Sequence, residues 1–172
     1  MRSVGDFLRL NSECLLTLMN ETLLTFASEG LDIRTRLNDW YTNFLEWSSD
    51  CSNPSDTQST LAVIYYHATC IFLSGIFDYR PQFNHITTPI LPLLLIQSHT
   101  SAIVSSTREA LKSTNLGGVL FFFPLRVAGA RTTSAQQKEA ILGMLSEISK
   151  RSFIAADAFT IDLEALWRSK RV

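Results

Sequence analysis

Apolar residues recur along this chain at steps of three and four, the spacing that places them on one face of an α-helix. Leu15, Leu18, Met19, Leu23 and Phe26 form the first such run. Gly30 follows it where glycine commonly ends a helix, so a helix C-cap is predicted there. A second run carries Ile33, Leu37, Trp40, Tyr41, Phe44 and Trp47 on what reads as one apolar face. Residues 48–56 (SSDCSNPSD) gather side chains that compete with the helix backbone. They predict a loop, with Asp56 placed to cap the next helix.

The third run is Leu61, Ile64, Tyr65, Ala68, Ile71, Phe72, Gly75 and Ile76, and its opposite face is also weakly polar. Such a helix belongs near the centre of a fold. Residues 79–92 hold three prolines and predict a loop leading to a helix over about 91–112. Residues 113–118 (STNLGG) read as a turn, and residues 119–130 as a helix that starts or kinks near Pro124. Ser134 and Gln137 have the spacing of a capping box ahead of Ile141, Met144, Leu145 and Ile148. In the last run Phe153, Ala156, Phe159, Leu163, Leu166 and Trp167 share a stripe, and Asp157, Asp162, Glu164 and Arg168 face away. There is no strand alternation, internal repeat or long linker. The pattern predicts an all-α fold, a bundle of about six or seven helices forming a single domain over residues 1–172.

Composition agrees. Of 172 residues 46% are hydrophobic and 18% charged, too apolar for a disordered tail. The net charge of −1 gives no general attraction to nucleic acid or to an anionic membrane. The balance is uneven, with ten acids against five bases in residues 1–80 and ten bases against six acids in residues 108–172. Because the bases are interleaved with acids, this reads as complementary helical faces. Cys14, Cys51 and Cys70 are odd in number and widely spaced, which suggests no disulfide framework and suits a reducing compartment. Asp6 and Glu13 interrupt the N-terminal apolar residues, so no signal peptide is expected. Two uncharged stretches, of 21 residues before Asp78 and 27 before Arg108, approach the length of a membrane span. Their histidines, amides, hydroxyls and prolines favour a buried helix or hairpin instead, and no membrane contact is expected.

Little catalytic chemistry is written in the chain. His67 and Cys70 share a metal-compatible spacing, but no Cys-x-x-Cys, His-x-x-x-His or Glu-x-x-His accompanies them, so no metal is assigned. There is no Gly-x-Ser-x-Gly elbow, and the Gly117-Gly118 pair lacks the Lys-Ser/Thr of a phosphate loop. No cofactor is implied. The basic tail Arg168–Val172 is short and suits the end of a helix dipole.

Residues 119–167 nevertheless resemble the C-terminal, regulatory region of fungal zinc-cluster transcription factors. Such factors commonly end in a Pro-Leu-Arg-x-Ala-Gly segment, a Gln-bearing amphipathic helix, and an aromatic–alanine helix closing on Trp. Pro124, Leu125, Arg126, Ala128, Gly129 and Trp167 match that pattern, as do Tyr66 and His67 in an earlier helix. The Trp-bearing segment 37–47 is similar as well, so the likeness extends over residues 31–168. It implies that Pro124, Arg126, Gly129 and Trp167 are architectural, with Arg126 pairing with or capping a neighbouring helix. The six-cysteine cluster that reads DNA in such factors is not in this sequence, so no direct nucleic-acid binding by this chain is expected. The chain would then be part of a longer factor or a free-standing relative.

Two functions emerge as expectations. The first is a regulatory or interaction domain, nuclear if part of a transcription factor and otherwise cytoplasmic, which senses a small apolar metabolite in a helical cavity or contacts protein partners, a homodimer included. The second is a cofactor-free cyclase or isomerase recruited to fungal natural-product biosynthesis. Its acid–base candidates are His67, Tyr65, Tyr66, Asp78, His85 and His99.

Overall fold

The computed structural model describes residues 4–50, 57–113, 117–151 and 153–170, with the backbone alone for residues 4–18 and 50. Among the described residues there are six α-helices and no strand: α1 (Val4–Asp50), α2 (Thr57–Asp78), α3 (Leu93–Ser113), α4 (Phe122–Arg131), α5 (Ala135–Lys150) and α6 (Ala155–Ser169). Short 3-10 turns at Pro81–Phe83 and Gly118–Phe121 precede α3 and α4. The all-α class read from the periodicity is what the chain adopts. Backbone contacts divide it into two compact units, Met1–Arg36 with Leu73–Ile90, and Leu37–Phe72 with Leu91–Val172.

The main departure from the sequence reading is α1. The expected stop at Gly30 does not occur, and the first two predicted helices are one helix of 47 residues. Gly30 is buried within the first unit, where the ring of Phe77 crosses it: a Cβ on residue 30 would lie 2.5 Å from Phe77 Cζ and 3.1 Å from Pro89 Cγ. Glycine is there to admit a neighbouring ring, at a helix-propensity cost of about 1 kcal/mol. The Arg34 guanidinium donates from Nη2 to the Pro89 carbonyl at 3.0 Å, which holds the proline-rich segment on the same side. The predicted loop at 48–56 begins later than expected, since α1 continues to Asp50; residues 51–56, Asp56 among them, lie outside the described residues. Residues 114–116 of the predicted turn lie outside them as well.

α2 is long and apolar enough to cross a membrane by length and composition. Here Ile64, Ala68 and Ile71 on its inner face are almost wholly buried. They join the core of the second unit with Ile103 and Leu111 of α3, Phe121 and Leu125 around the start of α4, Ile141, Leu145 and Ile148 of α5, and Leu163 of α6.

The segment after Pro124 sets how α4 and α6 cross. Pro124 lies in the first turn of α4, where backbone N–H groups lack partners within the helix, so its missing donor costs nothing. Gly129, in the last turn, meets Leu163: a Cβ on residue 129 would lie 2.8 Å from both Leu163 methyls. Close approach lets α6 satisfy carbonyls at the end of α4 that the helix itself leaves open. The Trp167 indole N–H donates to the Gly129 carbonyl at 2.8 Å, and Lys170 Nζ to the Ala130 carbonyl at 2.7 Å. Arg126 Nε forms an ion pair with Asp162 across the same crossing. Lys138 of α5 lies over the Trp167 ring, 5.1 Å from its centroid.

Ser134 caps α5 as its spacing suggested, accepting a bond from the Gln137 backbone N–H at 3.4 Å. The reciprocal half of the capping box is absent. The Gln137 side chain instead bonds the Thr132 hydroxyl through Oε1, and donates from Nε2 to the Ser101 hydroxyl of α3 at 2.9 Å. Thr132 Oγ1 accepts the Ser134 backbone N–H in its place, at 3.2 Å.

Two glycine substitutions separate helix propensity from close packing. Gly143 of α5 is exposed and a Cβ there meets nothing within 4 Å, so Gly143→Ala should stabilise the fold by about 0.4–1 kcal/mol. Gly129→Ala gains the same propensity but overpacks Leu163, and a net loss of about 1–2 kcal/mol is expected. Thermal melts should show shifts of opposite sign, each about 2–4 °C per kcal/mol; two shifts of the same sign contradict the packing role of Gly129.

Candidate functional site

Three of the six sequence-based acid–base candidates, Tyr66, His67 and His99, are drawn together at one place in the second unit. His67 of α2 and His99 of α3 face each other with Nδ1 atoms 2.7 Å apart. At that distance one Nδ1 carries the proton and the other accepts it. The two rings are tilted by 56° with centroids 5.0 Å apart.

Aromatic rings from α1 and α2 enclose the pair. Tyr41 and Tyr66 stack face to face at 4.0 Å with an interplanar angle of 6°. Both present an edge to His67, with centroids at 5.7 and 5.1 Å. Tyr66 is similarly placed against His99 at 6.1 Å. The Tyr66 hydroxyl donates to Asn38 Oδ1 of α1 at 3.2 Å, so the phenol that reaches the buried layer has an acceptor. Below it, Tyr66, Cys70, Leu91 and Ile96 form a small buried cluster against which Leu37 and Tyr41 pack.

Spacing explains why the chain folds this way locally. Tyr66 and Cys70 are four residues apart on the buried face of α2, and His67 lies at the margin of that face. The half-buried His99 precedes the fully buried Thr100 of α3, so its ring lies at the edge of the core. Burial pushes the His67 pKa below the ordinary imidazole value of 6.5, because the cation loses its water. The arrangement can pass a proton between two imidazoles, and it can hold α2 against α3 while one of them stays neutral.

The remaining candidates go elsewhere. Tyr65 points to the other side of α2 and packs on Phe123 of α4, with ring centroids 5.8 Å apart. Asp78 at the end of α2 and His85 in the following loop are exposed and belong to the first unit. Cys70 is buried and in no disulfide, and no group of three or more His, Cys, Asp or Glu able to hold a metal occurs among the described residues. Asn38 and Tyr41 were not among the sequence candidates. Their positions on α1 gave only an apolar period, and the contact with His67 depends on how α1 meets α2.

Two concavities lie on the second unit. One, of about 240 Å³, is lined by Phe44, Leu45 and Ser48 of α1, Ser59, Thr60 and Val63 of α2, and Ser106 of α3. A larger groove of about 510 Å³ runs between α5 and α6. Leu142 and Trp167 supply its apolar surface, and Lys138, Glu139, Glu164 and Arg168 its charged margin.

The histidine pair makes stability depend on acid. A group whose folded pKa lies below its unfolded value contributes stability above the unfolded value and loses it as pH falls through the folded one. His67 is such a group, so unfolding midpoints in urea should be flat above pH 7 and fall on acidification below 6.5. The contribution is up to about 1.4 kcal/mol per pH unit for one proton. His67→Asn keeps a partner for His99 without the titration and should flatten that slope. An unchanged profile in the variant assigns the acid sensitivity to another group.

Comparison with known families places these features in context. A family model described as "fungal specific transcription factor domain" matches residues 1–171, a longer span than the 31–168 suggested by the sequence motifs. No curated protein and no solved structure matches the chain. With nearly its whole length matched, the chain belongs to the fungal specific transcription factor domain family and has a regulatory role.

Proposed function

We propose that this domain regulates transcription in the nucleus by responding to a small, mostly apolar metabolite bound in the groove between α5 and α6. The observation that carries this reading is the groove itself. Its volume of about 510 Å³ falls in the range of small-molecule sites, roughly 300–1,000 Å³. Its surface pairs an indole and a leucine with charged groups of both signs, which suits a flat apolar body bearing a polar end.

The place of the groove gives a route from binding to response. Trp167 lines it and also donates to the Gly129 carbonyl, while Lys138 both lines it and covers the Trp167 ring. A ligand seated against Trp167 therefore acts on the side chain that joins α6 to α4. Ligand affinity that differs between two settings of Trp167 is what would shift the domain between regulatory states.

Thermal shift with a panel of fungal metabolites tests the proposal. A ligand at 100 times its dissociation constant should stabilise the domain by about 2.7 kcal/mol. Leu142→Arg, a half-buried position on the groove that also packs against the core, should lower the unliganded melting temperature by the equivalent of about 1–2 kcal/mol and abolish the ligand-induced shift measured from that new baseline. If no metabolite moves the melting temperature, or if the shift survives in Leu142→Arg, the groove is not a sensor site.

A further inference from the structure

The described part of α1 carries a column of large apolar side chains that the rest of the chain leaves open. Met19, Phe26, Ile33, Trp40 and Trp47 recur at intervals of seven residues, and their exposures are 60, 49, 45, 42 and 57%. The columns beside it on one flank, Leu23, Gly30, Leu37 and Phe44, then Ala27, Arg34, Tyr41 and Ser48, are buried or half-buried. On the other flank lie Thr22, Glu29, Arg36 and Asn43, all exposed. Of the three adjacent columns on this side of α1, the fold covers two and leaves the wholly apolar one open. Singly exposed apolar residues need no explanation, but a column over four heptads, roughly 42 Å of helix, does.

We propose that this column is the pairing surface of a second copy of the chain, with the two α1 helices antiparallel across a two-fold axis at Ile33. Three observations lead to that occupant. The first is the period. A strict seven-residue repeat drifts slowly round a straight helix, and the partner that follows it is another helix in a left-handed supercoil.

The second is symmetry. An isologous contact must be complementary to its own reverse. Reversal about Ile33 sets Met19 opposite Trp47, Phe26 opposite Trp40 and Ile33 opposite itself, so a large apolar group meets another in every layer. The polar column reverses onto itself as well. Glu29 then comes within about one residue's rise, ~1.5 Å along the axis, of Arg36 in the other copy, and Thr22 likewise meets Asn43. Each contact therefore holds two opposite-charge pairs. Arg36 is available for this, because its pairing with Asp32 of the same helix, at 3.7 Å between two largely solvated side chains, is one of little energy.

The third is area. Five large side chains, each about half exposed, offer on the order of 500 Å² per copy, about 1,000 Å² for the pair. That is about the 1,000 Å² a specific interface needs, before its polar margins are counted.

Sedimentation equilibrium of the full chain tests the proposal, with tryptophan emission as a second readout since Trp40 and Trp47 are two of the three tryptophans. The wild-type chain should be dimeric at ~100 μM and its emission should shift to the blue with concentration. Ile33→Glu places two carboxylates at the two-fold axis and should weaken the dimer at least about tenfold with unchanged helicity by circular dichroism. Glu29→Arg and Arg36→Glu should each weaken it similarly, and the double exchange Glu29→Arg/Arg36→Glu should restore it. A wild-type chain that is monomeric at ~100 μM, a dimer indifferent to Ile33→Glu, or single exchanges that the double does not rescue would each overturn the antiparallel pairing.

Discussion

Much of the second unit depends on the absence of one side chain, at Gly129. Leu163 fills the space a Cβ would take, and only then can α6 lie close enough for the Trp167 indole to reach the Gly129 carbonyl. The end of a helix is where backbone acceptors are left open, and burying one without a donor costs about 1–3 kcal/mol. At this crossing the donors come from another helix, so the crossing itself completes α4. Packing and hydrogen bonding are therefore one constraint. The Arg126–Asp162 pair adds orientation at a partly solvated edge, where its own contribution to stability is small.

The same crossing explains what the C-terminal motif of the sequence does. Pro124 occupies the first turn, Gly129 the point of contact, and Trp167 the donor position. These are functions within the fold. A regulatory domain needs such a frame if a response at its surface is to be carried by whole helices, since packed elements move between discrete arrangements rather than deforming gradually. The groove beside Trp167 lies against that frame.

Helix content was legible in the chain because the three- and four-residue period is local. Helix ends were less so. Gly30 follows an apolar run as a helix-terminating glycine does, and what distinguishes it is the ring of Phe77, forty-seven residues away. Gln137 was read correctly as near a cap but not in its partners, because Thr132 and Ser101 compete for its amide. For the site, His67 and His99 were separately visible as rare titratable residues, whereas their meeting at 2.7 Å depends on how α2 packs on α3. Tyr65 and Tyr66 look equivalent in sequence, yet adjacent helical positions differ by about 100° in direction, so only Tyr66 joins the pair. Ile33, Trp40 and Trp47 read as one face with Leu37, Tyr41 and Phe44. Periodicity measures the width of an apolar face and is silent on how much of it a neighbour covers.

The seven-residue spacing of α1 has a consequence for how this helix can change length. Deleting one residue between Ile33 and Trp40 would turn everything beyond it by about 100°, carrying Trp40 and Trp47 away from the line of Met19 and Phe26 and pulling Tyr41 from its place against Tyr66. Removing or adding seven leaves every column nearly continuous and slides one end by roughly 10.5 Å, so that another member of the same column takes the place of Tyr41 against Tyr66. α1 behaves as a ruler graduated in heptads: substitutions at its solvent positions are free to accumulate, while insertions and deletions are filtered by their size.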